Sequence, residues 1–132
     1  HFKKFNDDFG HQAGDEVLRM VGGKLGEIAD SVGFAARYGG EEFAVILANE
    51  AATVAEKLAE LIRAALERTE VRFDGRPLKV TASIGVATER PDQGDVTNEG
   101  LISKADARLY AAKRKGRNRV VASDPEPAIA RR

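Results

Sequence analysis

The sequence predicts an α/β fold of the α+β kind, in which helices flank a mainly antiparallel central sheet. Two observations support this fold class. Three segments carry apolar residues at helical spacing, and short apolar strands meet at glycine-containing turns. The length of 132 residues and the hydrophobic content of 42% suit one domain with a single packed core.

Amphipathic helices are predicted over about Gly14 to Ala29, Ala51 to Arg68 and Asn98 to Lys115. Gly116 follows the last of these, at the place where a helix C-cap is expected. The residues expected to face the core are Val17, Leu18, Val21, Leu25 and Ile28 in the first helix, Ala55, Leu58, Ala59, Ile62, Ala65 and Leu66 in the second, and Leu101, Ile102, Ala105, Leu109 and Ala112 in the third.

Strands are predicted between these helices. Phe34 to Tyr38 and Glu42 to Leu47 flank Gly39-Gly40, which indicates a hairpin with a tight turn. Leu78 to Ala87 alternates between apolar and small or polar residues, so it is predicted to be one half-buried strand. Val71 to Phe73, just before an Asp-Gly turn, is its predicted hairpin partner.

The C-terminal end of the chain is predicted to hold one more short strand, from Arg117 to Ala122. Beyond it come two prolines and several charged residues. This composition predicts one domain over residues 1–122 and a flexible tail over 123–132.

Composition excludes several classes of function. The 21 basic and 21 acidic residues cancel, which argues against a general binder of nucleic acid or membrane surfaces. No cysteine is present, so disulfides and thiolate metal sites are excluded, as fits a cytoplasmic domain. The chain starts at His1 without an initiator methionine, so we interpret it as part of a longer protein. A cytoplasmic domain is compatible with a membrane anchor elsewhere in that longer protein.

The most informative segment is Arg37-Tyr38-Gly39-Gly40-Glu41-Glu42-Phe43. Two glycines allow a sharp turn and the close approach of a ligand. Adjacent carboxylates repel each other, and they make sense together if a cation or a proton transfer uses them. For Gly-Gly-Glu alone, an ordinary turn with solvated glutamates is the favoured interpretation.

The wider sequence favours a functional turn over an ordinary one. The segment from Arg37 to Phe43 matches the signature of the GGDEF family in its GGEEF form. Upstream, His1 to Asp7 and Phe9 to Asp15 resemble the family's segment after its first strand. Downstream, Ala82 to Ala87 resembles its core strand, and Ala105 to Asn118 resembles its last helix and turn. The chain is identified as a member of this family from residue 1 to about residue 121.

The resemblance implies an enzyme, a diguanylate cyclase that condenses two GTP molecules into cyclic di-GMP and two pyrophosphates. It also implies the palm-like fold of nucleotide cyclases and polymerases, catalysis between the two copies of a homodimer, and two Mg²⁺ or Mn²⁺ ions per half-site. An upstream sensor domain is expected to control the activity. The alternatives are a module that binds GTP or cyclic di-GMP without catalysis, and a structural or dimerisation domain.

The resemblance also assigns roles to residues. Asn6 and Asp15 fall where the family recognises guanine; the alternative is that Asn6 ends a short helix and Asp15 caps the next one. The signature assigns catalytic roles to Gly39, Gly40, Glu41 and Glu42, with Glu41 and Glu42 as metal ligands. The residues expected to contact phosphate, through a turn of backbone amides near His1 or through side chains, are Phe2, Lys3, Lys113 and Arg117.

This sequence departs from the family in two respects. The family's other metal-binding aspartate lies on a strand just before the position of His1, so this chain alone is expected to be nearly inactive. The family's inhibitory product site uses an Arg-x-x-Asp motif, and the matching positions hold Asp30-Ser31-Val32-Gly33. Cyclic di-GMP, if bound, is therefore expected at the active site.

Overall fold

The computed structural model describes residues 2–90 and 97–124. The chain forms two compact units, one from residues 1–50 and 64–80 and the other from residues 51–63 and 81–132. The helices are α1 Phe2–Phe9, α2 His11–Ala29, α3 Ala52–Arg68 and α4 Asn98–Arg114. The strands are β1 Gly33–Arg37, β2 Phe43–Leu47, β3 Val71–Phe73, β4 Arg76–Leu78, β5 Ile84–Gly85 and β6 Val120–Val121. Helix α3 contributes its first part to the second unit and its last turn to the first.

Helix α1 of the first unit was not predicted. Phe2, Phe5 and Phe9 recur on one of its faces, and their rings contact each other with centroids 5.9 Å and 4.9 Å apart. These rings pack on the first unit's core, so tertiary packing stabilises a helix of eight residues that is too short to be stable alone. The buried members of that core are Ala13, Val17 and Leu78.

The β1–β2 hairpin was predicted correctly. The strands pair antiparallel from Gly33 opposite Leu47 to Arg37 opposite Phe43, and α2 contacts both strands. Because successive side chains alternate between faces, the opposed residues Phe34 and Ile46 share one face, where they are 59% and 50% exposed.

The predicted strand from Leu78 to Ala87 is wrong as a single element. Leu78 ends β4, which pairs with β3 across the expected Asp-Gly turn, and Ile84–Gly85 forms β5. No strand is assigned to residues 79–83. Alternation of apolar residues indicates burial on one face, but a strand also needs a hydrogen-bonded neighbour, and these residues pair with no strand among the residues described.

The second unit is built on α4, which contacts β5 and β6. These two short strands run parallel, and the carbonyl oxygens of Arg119 and Val121 accept hydrogen bonds from the Ile84 and Val86 amides at 3.0 and 2.9 Å. The expected inward position of Ile102 is wrong, since this side chain is 43% exposed. One buried cluster of this unit consists of Ala111, Ala112 and Val121, so small alanines let the helix approach the strand.

The α+β class is confirmed, although the described strands pair in three two-stranded sheets, two antiparallel and one parallel. Helices α2, α3 and α4 begin and end within three residues of the predicted bounds. Residues 123 and 124 are exposed, and the rest of the predicted tail lies outside the described residues. No helix within residues 2–90 and 97–124 has the length and apolar character needed to cross a membrane.

Candidate active site

The Gly-Gly turn comprises residues 38–42 between β1 and β2. The backbone amides of Tyr38 and Gly39 both donate to the carbonyl oxygen of Glu42, at 2.8 and 3.2 Å. The Arg37 guanidinium reaches over the turn from the end of β1. Its Nε donates to the carbonyl oxygens of Gly39 and Gly40 at 3.3 and 3.1 Å, and its Nη2 also donates to Gly40. One arginine side chain therefore fixes the shape of the turn.

The fold itself does not require the two glycines of this turn. Neither has a left-handed φ. A Cβ atom at Gly39 would lie 3.8 Å from the Glu42 side chain, an ordinary contact, and one at Gly40 would have no neighbour within 4 Å. The turn therefore forms without using the conformational freedom of its glycines. Close approach of a ligand remains as the predicted reason for them.

Glu41 and Glu42 lie exposed on this turn, and neither forms an ion pair within the described part of the chain. Residues 2–90 and 97–124 contain no group of three or more His, Asp or Glu side chains arranged to hold a metal. A metal cage made of protein alone is therefore not formed by these residues. Two carboxylates do suit Mg²⁺, which commonly binds one or two carboxylates and completes its shell with phosphates and water.

Asn6 and Gly14 lie against each other. The Asn6 Oδ1 atom is buried and accepts no hydrogen bond from the described residues. It is so close to Gly14 that a Cβ atom there would come within 1.9 Å of it. Since Gly14 directly precedes Asp15 in α2, the fold brings an unpaired amide oxygen next to the helical turn that carries Asp15.

The structural alternatives for these two residues are wrong. Asn6 does not end its helix, because α1 continues to Phe9. Asp15 does not cap the next helix, because α2 begins at His11 and its N-cap residue is Gly10. The Asp15 side chain is exposed and forms no ion pair among the described residues. Both residues are thus left without a capping role in the fold.

An open cleft of about 420 Å³ contains Asp15 and the two residues that flank the Gly-Gly turn. Its lining includes Asp15 on α2, Arg37 at the end of β1 and Phe43 at the start of β2. Arg19 also lines it and is paired with Glu16. Sequence reasoning did not assign a role to Arg37. The available signal was a basic residue two positions before the double glycine, within hydrogen-bonding reach of a turn.

Two expected phosphate contacts lie at the start of α1. The first turn of this helix contains Phe2 and Lys3, whereas His1 lies outside the described residues. The Lys3 side chain is exposed and Phe2 is half-buried in the aromatic row. The first backbone amides of a helix have no partner within the helix, so they are available to an anion.

The other two expected phosphate contacts, Lys113 and Arg117, belong to the second unit. Lys113 is exposed in the last turn of α4. Arg117 is half-buried and lies in a turn of three residues with left-handed φ, which are Gly116 at 121°, Arg117 at 62° and Asn118 at 47°. We call residues 116–118 the Gly-Arg-Asn turn.

A family model described as "Diguanylate cyclase, GGDEF domain" matches residues 1–119. The chain belongs to the GGDEF family. It is 42% identical over 120 residues to the diguanylate cyclase DgcP of Pseudomonas aeruginosa, which covers 91% of this chain and 17% of that protein. It is 43% identical over 122 residues to the response regulator PleD of Caulobacter vibrioides, which covers 91% of this chain and 26% of that protein. The chain therefore spans well under half the length of these curated relatives.

Solved GGDEF structures have the same fold. The GGDEF domain of DgcB from Caulobacter crescentus in complex with c-di-GMP matches with a TM-score of 0.85 and 43% identity, over 92% of this chain and 71% of that one. The diguanylate cyclase SiaD of Pseudomonas aeruginosa, in complex with its activator SiaC, matches with a TM-score of 0.85 and 34% identity. That match covers 92% of this chain and 46% of SiaD.

In this GGDEF domain the packing is consistent with the absence of the Arg-x-x-Asp motif. Asp30 forms the C-cap of α2, and Gly33 begins β1. A Cβ atom at Gly33 would lie 1.9 Å from the carbonyl oxygen of Ile46 on the neighbouring strand. The position that would need the motif's carboxylate is therefore closed to any side chain while the hairpin keeps this geometry.

Proposed function

We propose that this GGDEF domain joins two GTP molecules into cyclic di-GMP, with release of two pyrophosphates. The observation that carries the proposal is the cleft that Asp15 shares with Arg37 and Phe43, the two residues that flank a Gly-Gly-Glu-Glu turn whose glycines the fold does not require. In each of two steps, a 3′-oxygen forms a bond to an α-phosphorus and the bond to the leaving pyrophosphate breaks. The proton of the 3′-hydroxyl passes to a base or to solvent.

Asn6 and Asp15 are proposed to select guanine. The Asp15 carboxylate can accept hydrogen bonds from both the N1–H and the exocyclic amine of guanine. Adenine has no donor at that ring nitrogen, so the same carboxylate disfavours ATP. The unpaired, buried Oδ1 of Asn6 supports the proposal, because a buried acceptor without a donor costs free energy that a donor on the base would recover.

Glu41 and Glu42 are proposed to hold two Mg²⁺ or Mn²⁺ ions together with the triphosphate. When bound, these ions would stabilise the attacking and leaving oxygens of the transfer. The Arg37 hydrogen bonds to the Gly39 and Gly40 carbonyls keep the two glutamates on a fixed turn. Open space at Gly40 leaves room for a nucleotide to approach the backbone.

Two sets of phosphate contacts are proposed, each within one unit: Lys3 and the α1 amides near Phe2 in the first, and Lys113 and Arg117 in the second. A guanidinium suits phosphate because it donates along two parallel directions. Two copies of the domain, each with one GTP, are needed to close a product that contains two guanines. We further propose that an upstream sensor domain controls how these copies meet.

The direct test measures cyclic di-GMP formation from GTP with Mg²⁺ or Mn²⁺. It uses the domain extended upstream through the strand that the family places before His1, here called the extended domain. Glu42→Gln removes a charge with little change of volume, so it should lower turnover about 100-fold or more while the melting temperature stays the same. Normal turnover by Glu42→Gln would contradict the metal-binding role.

The 132-residue chain should itself form product far more slowly than the extended domain. Displaced catalytic groups cost orders of magnitude in rate. The same assay at matched protein and GTP concentrations measures this difference. Equal rates would show that the residues present already complete the metal site.

The product should bind at the same cleft and compete with GTP. Hydrogen bonds to charged groups contribute about 1.5–3 kcal/mol, so Asp15→Ala should weaken cyclic di-GMP binding about tenfold or more. Calorimetric titration of both proteins measures this change. Equal affinity of the two, or inhibition that does not compete with GTP, would place the product on another surface.

A further inference from the structure

The backbone of the Gly-Arg-Asn turn is held in an unfavourable conformation. Left-handed φ is uncommon outside glycine and asparagine, and each such residue costs on the order of 1–3 kcal/mol unless its surroundings impose it. Arg117, at 62°, has no short polar side chain to stabilise this conformation locally. Its conformation must therefore be imposed by contacts from other residues.

Arg63 on α3 supplies one of those contacts. Its Nη1 donates to the Asn118 Oδ1 at 2.9 Å, across 55 positions of the chain. The rest of the same guanidinium is fixed by Glu60, whose carboxylate oxygens accept from Nε at 3.0 Å and from Nη2 at 2.6 Å. These hydrogen bonds from Arg63 lower the pKa of Glu60 below its usual range. The arginine thus reaches Asn118 already oriented.

The backbone of Arg117 is fixed on both sides. Its amide donates to the carbonyl oxygen of Ala112 at 3.0 Å, and its own carbonyl oxygen accepts from Arg119 Nε at 3.1 Å. The Arg117 guanidinium, by contrast, forms no hydrogen bond or ion pair within residues 2–90 and 97–124, although the residue is half-buried. The contacts in this region therefore orient Arg117 and leave its charged end available.

We propose that Arg63 and Asn118 are positioning residues that hold Arg117 ready for a phosphate group of the bound nucleotide. This inference rests on the proposed function, in which Arg117 contacts phosphate. An arginine oriented in advance loses less conformational entropy when it binds an anion than a free one does. Arg63 and Asn118 therefore contribute to affinity for the phosphates and not to recognition of the base.

The experiment titrates the 132-residue chain with two probes, GTP and guanosine, the second of which has no phosphate. Asn118→Gly tolerates the left-handed φ and removes the side chain that accepts the Arg63 hydrogen bond. Arg63→Met keeps an unbranched apolar stem and removes the donor. Both variants should bind GTP about threefold to tenfold more weakly, with guanosine affinity unchanged. Asn118→Asp keeps an acceptor for Arg63 and should restore GTP affinity relative to Asn118→Gly.

Arg117→Ala separates this inference from the function on which it rests. If Arg117→Ala weakens GTP binding while Asn118→Gly and Arg63→Met do not, the positioning role is overturned and the phosphate contact stands. If Arg117→Ala leaves GTP binding unchanged, the phosphate contact fails and the positioning role with it. An equal loss of GTP and guanosine affinity in Asn118→Gly would show a general structural role and would also overturn the inference.

Discussion

The Gly-Gly turn after β1 and the Gly-Arg-Asn turn after α4 differ in how far the fold explains their residues. At Gly116, φ is 121°, a backbone conformation that L side chains rarely adopt, so the backbone itself favours glycine. At Gly40 the φ is not left-handed and the space around a Cβ would be empty. One glycine is thus required by the protein itself, and the other is unexplained until a ligand is considered.

Both turns are also held by hydrogen bonds from an arginine side chain. Each is held by an arginine outside it, Arg37 for the Gly-Gly turn and Arg63 for the Gly-Arg-Asn turn. Arg37 binds backbone carbonyls and fixes the turn directly, whereas Arg63 binds a side chain within its turn. An exposed turn bearing two like charges would otherwise be free to rearrange, so loss of Arg37 should lower catalysis at the Gly-Gly turn, although less than loss of Glu42 itself.

Replacing Arg37 should give the largest effect in this comparison. Arg37→Met removes the hydrogen bonds to the Gly39 and Gly40 carbonyls, so the glutamates lose their fixed position, and turnover by the extended domain should fall about tenfold. Arg37→Lys keeps one donor and should recover part of the lost turnover. Steady-state kinetics, with kcat and KM measured separately, test the expectation that kcat falls and KM does not change.

Arg19→Met is the matched control for Arg37→Met. Arg19 lines the same cleft but pairs with Glu16 and does not contact the carbonyl oxygens of the turn. Its loss should leave kcat within about twofold of wild type. Equal losses in both variants would mean that positive charge in the cleft matters and that the hold on the turn does not.

A smaller effect is expected at Gly14, which extends the comparison to the proposed guanine-binding residues. Gly14→Ala places a methyl group where the Asn6 Oδ1 lies, so the amide must move. Loss of a hydrogen bond costs about 0.5–1.5 kcal/mol, which predicts guanosine and GTP binding roughly fivefold weaker. Calorimetry or NMR titration of the 132-residue chain measures this change.

Gly23→Ala serves as the control for Gly14→Ala. Gly23 lies in the same helix, and a Cβ atom there would meet nothing within 4 Å. Because alanine favours helix by about 0.8–1 kcal/mol over glycine, Gly23→Ala should raise the melting temperature and leave binding unchanged. If Gly14→Ala binds GTP as tightly as Gly23→Ala does, the Asn6 amide does not contribute to recognition.

The three longer helices were predictable because their apolar residues repeat over 17 to 19 residues. Helix α1 has only eight residues, and what stabilises it is the packing of its phenylalanines on a core that includes Leu78, which is distant in sequence. The strand over residues 78–87 was wrong because local alternation carries no information about which neighbour is available for pairing.

The residues of the candidate site also fall into those that a local pattern predicts and those that depend on contacts distant in sequence. The signature residues from Gly39 to Glu42 could be proposed as site residues because they are contiguous, and Asn6 and Asp15 because they lie at fixed positions of a family motif. The roles of Arg37, Arg63 and Gly14 depend on which atoms the fold brings beside them. The Arg63–Asn118 hydrogen bond joins residues 55 positions apart, and no local pattern predicts it.

The most direct test of the contrast between the two turns compares Gly40→Ala with Gly116→Ala. Left-handed strain of about 1–3 kcal/mol should lower the melting temperature of Gly116→Ala by about 3 °C or more. Gly40→Ala should melt with the wild type, while turnover by the extended domain falls about tenfold because the methyl group occupies space needed by the nucleotide. If Gly40→Ala instead loses as much stability as Gly116→Ala, or turns over GTP like wild type, then the Gly-Gly turn is not reserved for a ligand and the account is wrong.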